Sequence, residues 1–201
     1  NGGMPVLPMR VNRGRPYQAG LNEPLLRGKW DLTEGGIRVP FAITGPSIKP
    51  GGQSDTPVMS YDILPTIADL AGSLKGLPED LDGVSFKPLF DDNKADLDRP
   101  FDGLVFHYPH YNRVGMNEPH SAIRHENYKL IHFPASDRNL LFDLAKDPGE
   151  RVDLSKKMPK KVDSLNLKLS TYLTSVDAEL PEDAGSWKRI GRNGKVRTRF
   201  F

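Results

Sequence analysis

The sequence has no cysteine, no long apolar run and almost no excess of either charge. Without cysteine there is no disulfide framework, no thiolate metal site and no cysteine nucleophile within these residues. No stretch approaches the roughly eighteen apolar residues of a membrane-spanning helix. The balance of 28 Lys+Arg against 26 Asp+Glu, a net charge of +2, removes the usual electrostatic argument for a nucleic-acid partner. Several catalytic signatures are also missing: no Gly-x-Ser-x-Gly elbow, no His-Glu-x-x-His and no Gly-x-Gly-x-x-Gly after a strand. The chain opens at Asn1-Gly2-Gly3 without an initiator Met and reads as a piece of something longer.

What is present is turn chemistry. The 201 residues include 19 Gly and 18 Pro, above average usage of about 7% and 5%. Many of them fall within residues 1–36, which read as a long surface or active-site loop. Ile37-Arg38-Val39-Pro40-Phe41-Ala42-Ile43-Thr44 then reads as a strand buried on both faces, closed by Gly45-Pro46. From Ser60 to Gly72, Ile63, Ile67, Leu70 and Ala71 repeat at helical spacing, with Ser60 as N-cap, Pro65 in the first turns and Gly72 as the stop.

The second half changes character. Leu104-Val105-Phe106, Ala122-Ile123-Arg124, Tyr128 to Phe133 and Leu140 to Leu144 are short strands at close spacing, which argues for an antiparallel sheet. His125-Glu126-Asn127 suits a hairpin, with Asn127 tolerating a left-handed conformation. Pro159 opens a helix that places Val162, Leu165, Leu169, Tyr172, Leu173 and Val176 on one face. That helix is expected to cover one face of the sheet. Residues 186–201, with six Lys or Arg and no acid, read as a basic, solvated tail.

Taken one by one, the candidate site residues leave alternatives open. Lys29, after Gly28, is either an exposed loop lysine or an ammonium placed on an anion. Asn1 is either a turn residue or an amide-oxygen ligand for a hard cation. Four of the five histidines, His107, His110, His120 and His125, fall close together. Pro109 argues against a helix that would make His107 and His110 metal ligands, so loop or substrate contact is the better reading.

The order of segments resembles the C-terminal part of the formylglycine-dependent sulfatases, in the alkaline-phosphatase-like superfamily. The segments are Asn1-Gly2-Gly3, Pro24 to Trp30, Glu34 to Phe41, Ser54 to Val58, Asp62 to Thr66, Leu81 to Ser85, His107 to Tyr111, Ser121 to Arg124, Tyr128 to Ile131, and Asp147-Pro148-Gly149-Glu150. The resemblance implies an α/β fold: the end of a catalytic α/β domain over 1–98, a small subdomain over 99–180 with an antiparallel sheet of about four strands packed by a C-terminal helix, and a basic tail over 181–201. It implies Asn1 as a Ca²⁺ ligand, Lys29 as the catalytic, sulfate-binding lysine, and His107, His110 and Tyr111 as substrate-pocket residues. Arg124, Lys129 and Asp147 to Glu150 are read as structural. The family's nucleophile, a formylglycine made from Cys or Ser, has no match here and is expected from an N-terminal remainder.

The resemblance therefore implies a sulfuric ester hydrolase whose substrates are sulfated carbohydrates or aryl sulfates, with this piece inactive alone. Its partners would be the substrate and the N-terminal remainder of the catalytic domain, with no nucleic acid and no membrane span. Its setting would be periplasmic or secreted, or lysosomal in a eukaryote. The same residues leave open a phosphodiester or phosphonate hydrolase of that superfamily, or a non-catalytic binding module.

Overall fold

The computed structural model describes residues 2–3, 22–46, 48–111, 116 and 118–181, together with the backbone of 187–190 and 196–199. The chain divides into two units, one formed by 1–39 with 104–201 and the other by 40–103.

In the first unit, a single helical turn, α1 (Glu34–Ile37), follows an irregular segment described from Asn22. Four strands follow: β1 (Leu104–Tyr108), β2 (His120–His125), β3 (Tyr128–Phe133) and β4 (Arg138–Asp143). They form an antiparallel meander in the order β1-β2-β3-β4. The register sets Tyr108 opposite His120, Ile123 opposite Leu130, and Lys129 opposite Phe142. The expected class, α/β with a four-stranded antiparallel sheet and a C-terminal helix, is what the chain adopts.

Period-2 alternation gives the sheet two faces. Ile123, Leu130 and Leu141 are buried with Val162, Leu165 and Leu169, the inward stripe of a helix over Pro159–Ser175 that packs on β2 and β3. Pro159 stands at its first position, where the missing N–H costs nothing. On the other face Ala122, Ile131, Phe133, Phe142 and Leu144 form a core with Leu32, and Ile37, Phe106 and Tyr108 pack against it. The helix covers one face, and the loop carrying Lys29 covers the other.

Three expectations are corrected. Ile37 to Thr44 is not a buried strand: Ile37 ends α1, and Val39, Phe41 and Ile43 are exposed. An extended segment becomes a strand only when a neighbour completes its hydrogen-bond ladder, and none pairs with it among the described residues. At the β2–β3 hairpin the left-handed residue is Glu126, at φ 53°, not Asn127. The Asn127 carbonyl is instead held by the Leu144 N–H at 2.7 Å. Finally, the segment expected as a solvated tail contains two short paired strands, Trp187–Ile190 and Val196–Arg199.

In the second unit, a helix over Ile63–Leu70 follows a 3-10 turn at Ser60–Asp62. Pro65 lies in its first turn, and Gly72 ends it at φ 67°. Asp62, fully buried, accepts the N–H groups of Met59 at 2.6 Å and Val84 at 3.0 Å. It also takes both Arg99 terminal nitrogens, at 2.9 and 2.7 Å. The helix leaves Ile63, Leu64, Ile67 and Leu70 exposed.

Candidate functional site

Lys29 sits in a backbone that leaves it little freedom. Its N–H donates to Gly3 O at 3.0 Å, and the Gly2 N–H donates to Gly36 O at 2.8 Å. The segment after Asn1 is thereby stitched to both ends of the Lys29 loop. Asn22 ties the same corner: its Oδ1 accepts the Gly3 N–H at 3.0 Å and its Nδ2 donates to Arg27 O at 2.8 Å. Arg27 and Trp30 both have positive φ, 59° and 80°, a strained state for side-chain-bearing residues that clusters at functional sites. The Lys29 Nζ lies 5.6 Å from the Trp30 ring centre.

Glycine is required at the loop's far end. A Cβ on Gly35 would strike the carbonyl oxygens of Leu26 and Arg27, and one on Gly36 would strike that of Asp31. Thr33 Oγ donates to Leu26 O at 2.8 Å, and the Gly35 N–H to the same oxygen at 3.0 Å.

From Asp31 to Glu34 the loop is buried and held by groups from the sheet. Asp31 Oδ1 accepts the Met116 N–H at 2.6 Å, and Arg27 lies 3.6 Å from Oδ2. Burial raises the Asp31 pKa, with Arg27 opposing. The Leu32 N–H donates to His120 Nε2 at 3.2 Å, while His120 Nδ1 meets the Glu118 carbonyl at 2.8 Å. That pair fixes the neutral tautomer with the proton on Nδ1, and burial lowers the His120 pKa. The Glu34 N–H donates to Glu150 Oε2 at 2.7 Å. Lys129 Nζ, completely buried, lies 3.0 Å from Glu34 Oε1 and 2.9 Å from Glu150 Oε1. Burial raises the Glu150 pKa, and Lys129 opposes that rise.

The other expected site residues fall on two faces. The contacts run from Leu32 through His120 to Tyr108, 5.7 Å between ring centres, and on to the exposed His110, 5.5 Å further. The half-buried Tyr111 follows. His110 and Tyr111 thus follow the end of β1, and His110 is linked to the buried part of the Lys29 loop through Tyr108 and His120. His107 points the other way: Nδ1 meets Ser121 Oγ and Nε2 meets Glu179 O, each at 2.7 Å. With both nitrogens engaged, His107 ties β1 to residue 179 after the long helix. Asn1 lies outside the described residues. Among the described residues no group of three or more His, Asp or Glu is placed to hold a metal ion. They do not themselves make a Ca²⁺ site, and no step below runs through one. An open cavity of about 1170 Å³ in the second unit, bordered by Phe41, Ile48, Phe86 and Asn93, includes none of these residues.

The motifs mark Lys129 and Glu150 as structural and His120 as one of a histidine cluster; that the three together hold the Lys29 loop is what they do not convey. The signal was in the strand itself: in Tyr128 to Phe133, Lys129 is in phase with Ile131 and Phe133, so period 2 puts an ammonium on an apolar face. A lysine there needs buried carboxylates.

Comparison with known proteins fits this arrangement. The family described as N-sulphoglucosamine sulphohydrolase, C-terminal, matches residues 28–179. The chain belongs to the sulfatase family and carries its C-terminal region. Human steryl-sulfatase is 34% identical over 159 residues, covering 64% of this chain and 26% of that protein. Human arylsulfatase K is 31% identical over 180 residues, covering 82% of this chain and 32% of that protein. The solved structure of BT4656 in complex with its substrate D-glucosamine-2-N,6-O-disulfate superposes with a TM-score of 0.53 at 28% identity, over 68% of this chain and 28% of that one. The chain spans about a quarter to a third of the length of the curated relatives it matches. In this sulfatase region, among the described residues, no helix is long and apolar enough to cross a membrane.

Proposed function

We propose that this chain is the C-terminal portion of a hydrolase of sulfate esters, acting on sulfated sugars or aryl sulfates, in which Lys29 binds the sulfate oxygens. The observation that carries this reading is the attachment of the Lys29 segment at Gly3, Asn22, His120 and Glu150. An ammonium lowers a barrier when it is already aimed at the charge that develops as the S–O bond breaks, with no reorganisation at that moment. In this reading His110 and Tyr111, just after β1, form the sugar- or aryl-facing rim. The sulfatase relatives support the sulfate ester, and the BT4656 complex supports a sulfated sugar. Formylglycine as nucleophile and Ca²⁺, with Asn1 giving one oxygen ligand, belong to the same proposal and are supplied mainly from outside these 201 residues. Residues 1–98 complete a catalytic domain with that remainder, which covers the exposed apolar side chains of 39–43 and 63–70.

The test compares wild type with Lys29→Ala in the complete protein containing this chain, on an aryl sulfate and on D-glucosamine-2-N,6-O-disulfate. The variant is expected to lose about 10²–10³ in kcat/KM with an unchanged unfolding transition. No sulfate release by wild type, or equal release by the variant, overturns the reading.

A further inference from the structure

Lys129 is a fully buried ammonium 95 residues away in sequence from Glu34, its partner at 3.0 Å. Its second partner, Glu150, is equally buried and receives the Glu34 backbone N–H. Glu34 is therefore gripped twice, by its side chain from β3 and by its main chain from the turn after β4. It lies five positions after Lys29, and the chain between them is buried from Asp31 onward. The cluster has two carboxylates and one ammonium, with the Arg38 guanidinium 3.7 Å from Glu34 Oε2 and the partly buried Arg124 acting on Glu34 from β2.

A buried ion pair is a poor way to gain stability, because desolvating the charges offsets much of their attraction. An apolar residue in phase with Ile131 and Phe133 would cover the loop's apolar side equally well. What charge adds is direction. Two carboxylates around one ammonium admit one placement of Glu34, whereas apolar contact admits many. We infer that the Glu34–Lys129–Glu150 cluster is the positioning device of the Lys29 loop, by which the C-terminal sheet sets where the Lys29 ammonium stands. This rests on the sulfate-binding role given to Lys29 above. Glu34, Lys129 and Glu150 are positioning residues that act through the backbone from Glu34 to Lys29. A displacement near 1 Å at a reacting centre is worth up to about a hundredfold in rate.

Two variants test it. Lys129→Met removes the ammonium and leaves two carboxylates buried, so it is paired with the double change Lys129→Met and Glu150→Gln. The double change keeps the cluster's net charge, and the new amide oxygen can still accept the Glu34 N–H. The first readout needs no turnover: amide hydrogen exchange in the 201-residue chain. In the double variant the Lys29 and Gly35 amides are expected to exchange at least about tenfold faster, with β2 to β4 and the long helix protected as in wild type. Loop amides unchanged in a folded variant, or a uniform rise across the strands, overturns the positioning role. The second readout is kinetic, in the complete protein: kcat is expected to fall about ten- to a hundredfold with KM within about twofold. A rise in KM alone overturns it. If wild type releases no sulfate, the sulfatase reading fails by itself, and the exchange result still decides the role of the cluster.

Discussion

Leu32 and His120, 88 residues apart, share a hydrogen bond in which the Leu32 N–H meets Nε2 at 3.2 Å. The acceptor is a lone pair that exists only on neutral imidazole. Protonation would set a second N–H against the Leu32 N–H, in a pocket where Phe133 stacks on the ring at 5.4 Å.

A pH dependence follows, with a definite sign. Burial depresses the His120 pKa below its ordinary 6.5. The stability it contributes is present above the unfolded value and is lost as pH falls towards the folded one. Asp31 and Glu150 run the opposite way. Burial raises both from 3.8 and 4.5, so their contribution is present at low pH and lost as pH rises through their folded values. Comparing wild type with His120→Gln, whose amide oxygen can accept the same N–H, isolates the histidine. Urea unfolding is expected to show wild type ahead by about 1 kcal/mol at pH 7, with the gap narrowing as pH falls below the ordinary imidazole value of 6.5. A gap that does not change with pH refutes the assignment.

Gly35 gives a steric test. Its missing Cβ leaves room for the Leu26 and Arg27 carbonyl oxygens, which are main-chain atoms and cannot swing away. Gly35→Ala is expected to cost about 1–3 kcal/mol or more. Gly76→Ala meets nothing within 4 Å and should stay within about 0.5 kcal/mol of wild type. Thermal unfolding separates the two, at about 2–4 °C per kcal/mol for a chain of this size.

These residues also show what sequence could and could not convey. The strands and the long helix were legible because one periodicity governed each: alternation from Tyr128 to Phe133, and the stripe Val162, Leu165, Leu169. Ile37 to Thr44 misled because apolar composition records what a segment is suited to bury, while a strand also requires a partner. Glu126 took the left-handed turn position although Asn127 is the better local choice, an instance of the two-residue connection and its register overriding propensity. At the site, the motif singles out Lys29, whose sulfate-binding role is the proposal above. The groups that hold its loop were not legible as a set, since His120, Lys129 and Glu150 come together only through the register of β2, β3 and β4.

In the second unit, the Asp62–Arg99 pair should dominate local stability. The carboxylate is fully buried and carries two backbone N–H groups besides the guanidinium, whose Nη2 also donates to Pro57 O at 3.1 Å. Arg99→Met leaves the charge of Asp62 buried and uncompensated, at a cost of about 3–5 kcal/mol. Asp62→Asn keeps the shape and one acceptor and should cost less. Hydrogen exchange at Val84 and along Ile63–Leu70 reports the loss; unchanged protection there would contradict a central role for the pair.

The exposed helix in that unit tests the proposed remainder of the catalytic domain. Ile67 is 58% exposed and stands with Leu64, at 53%, on an apolar face that no described residue covers. Ile67→Lys in the 201-residue chain should change stability by no more than about 0.5 kcal/mol, since the new charge stays in water. If the remainder packs over this face, the same change in the complete protein buries an unpaired ammonium. It should then cost several kcal/mol or block assembly. Denaturant unfolding of both forms decides: an equally small effect in each means the face remains in water, and the proposed docking through it is wrong.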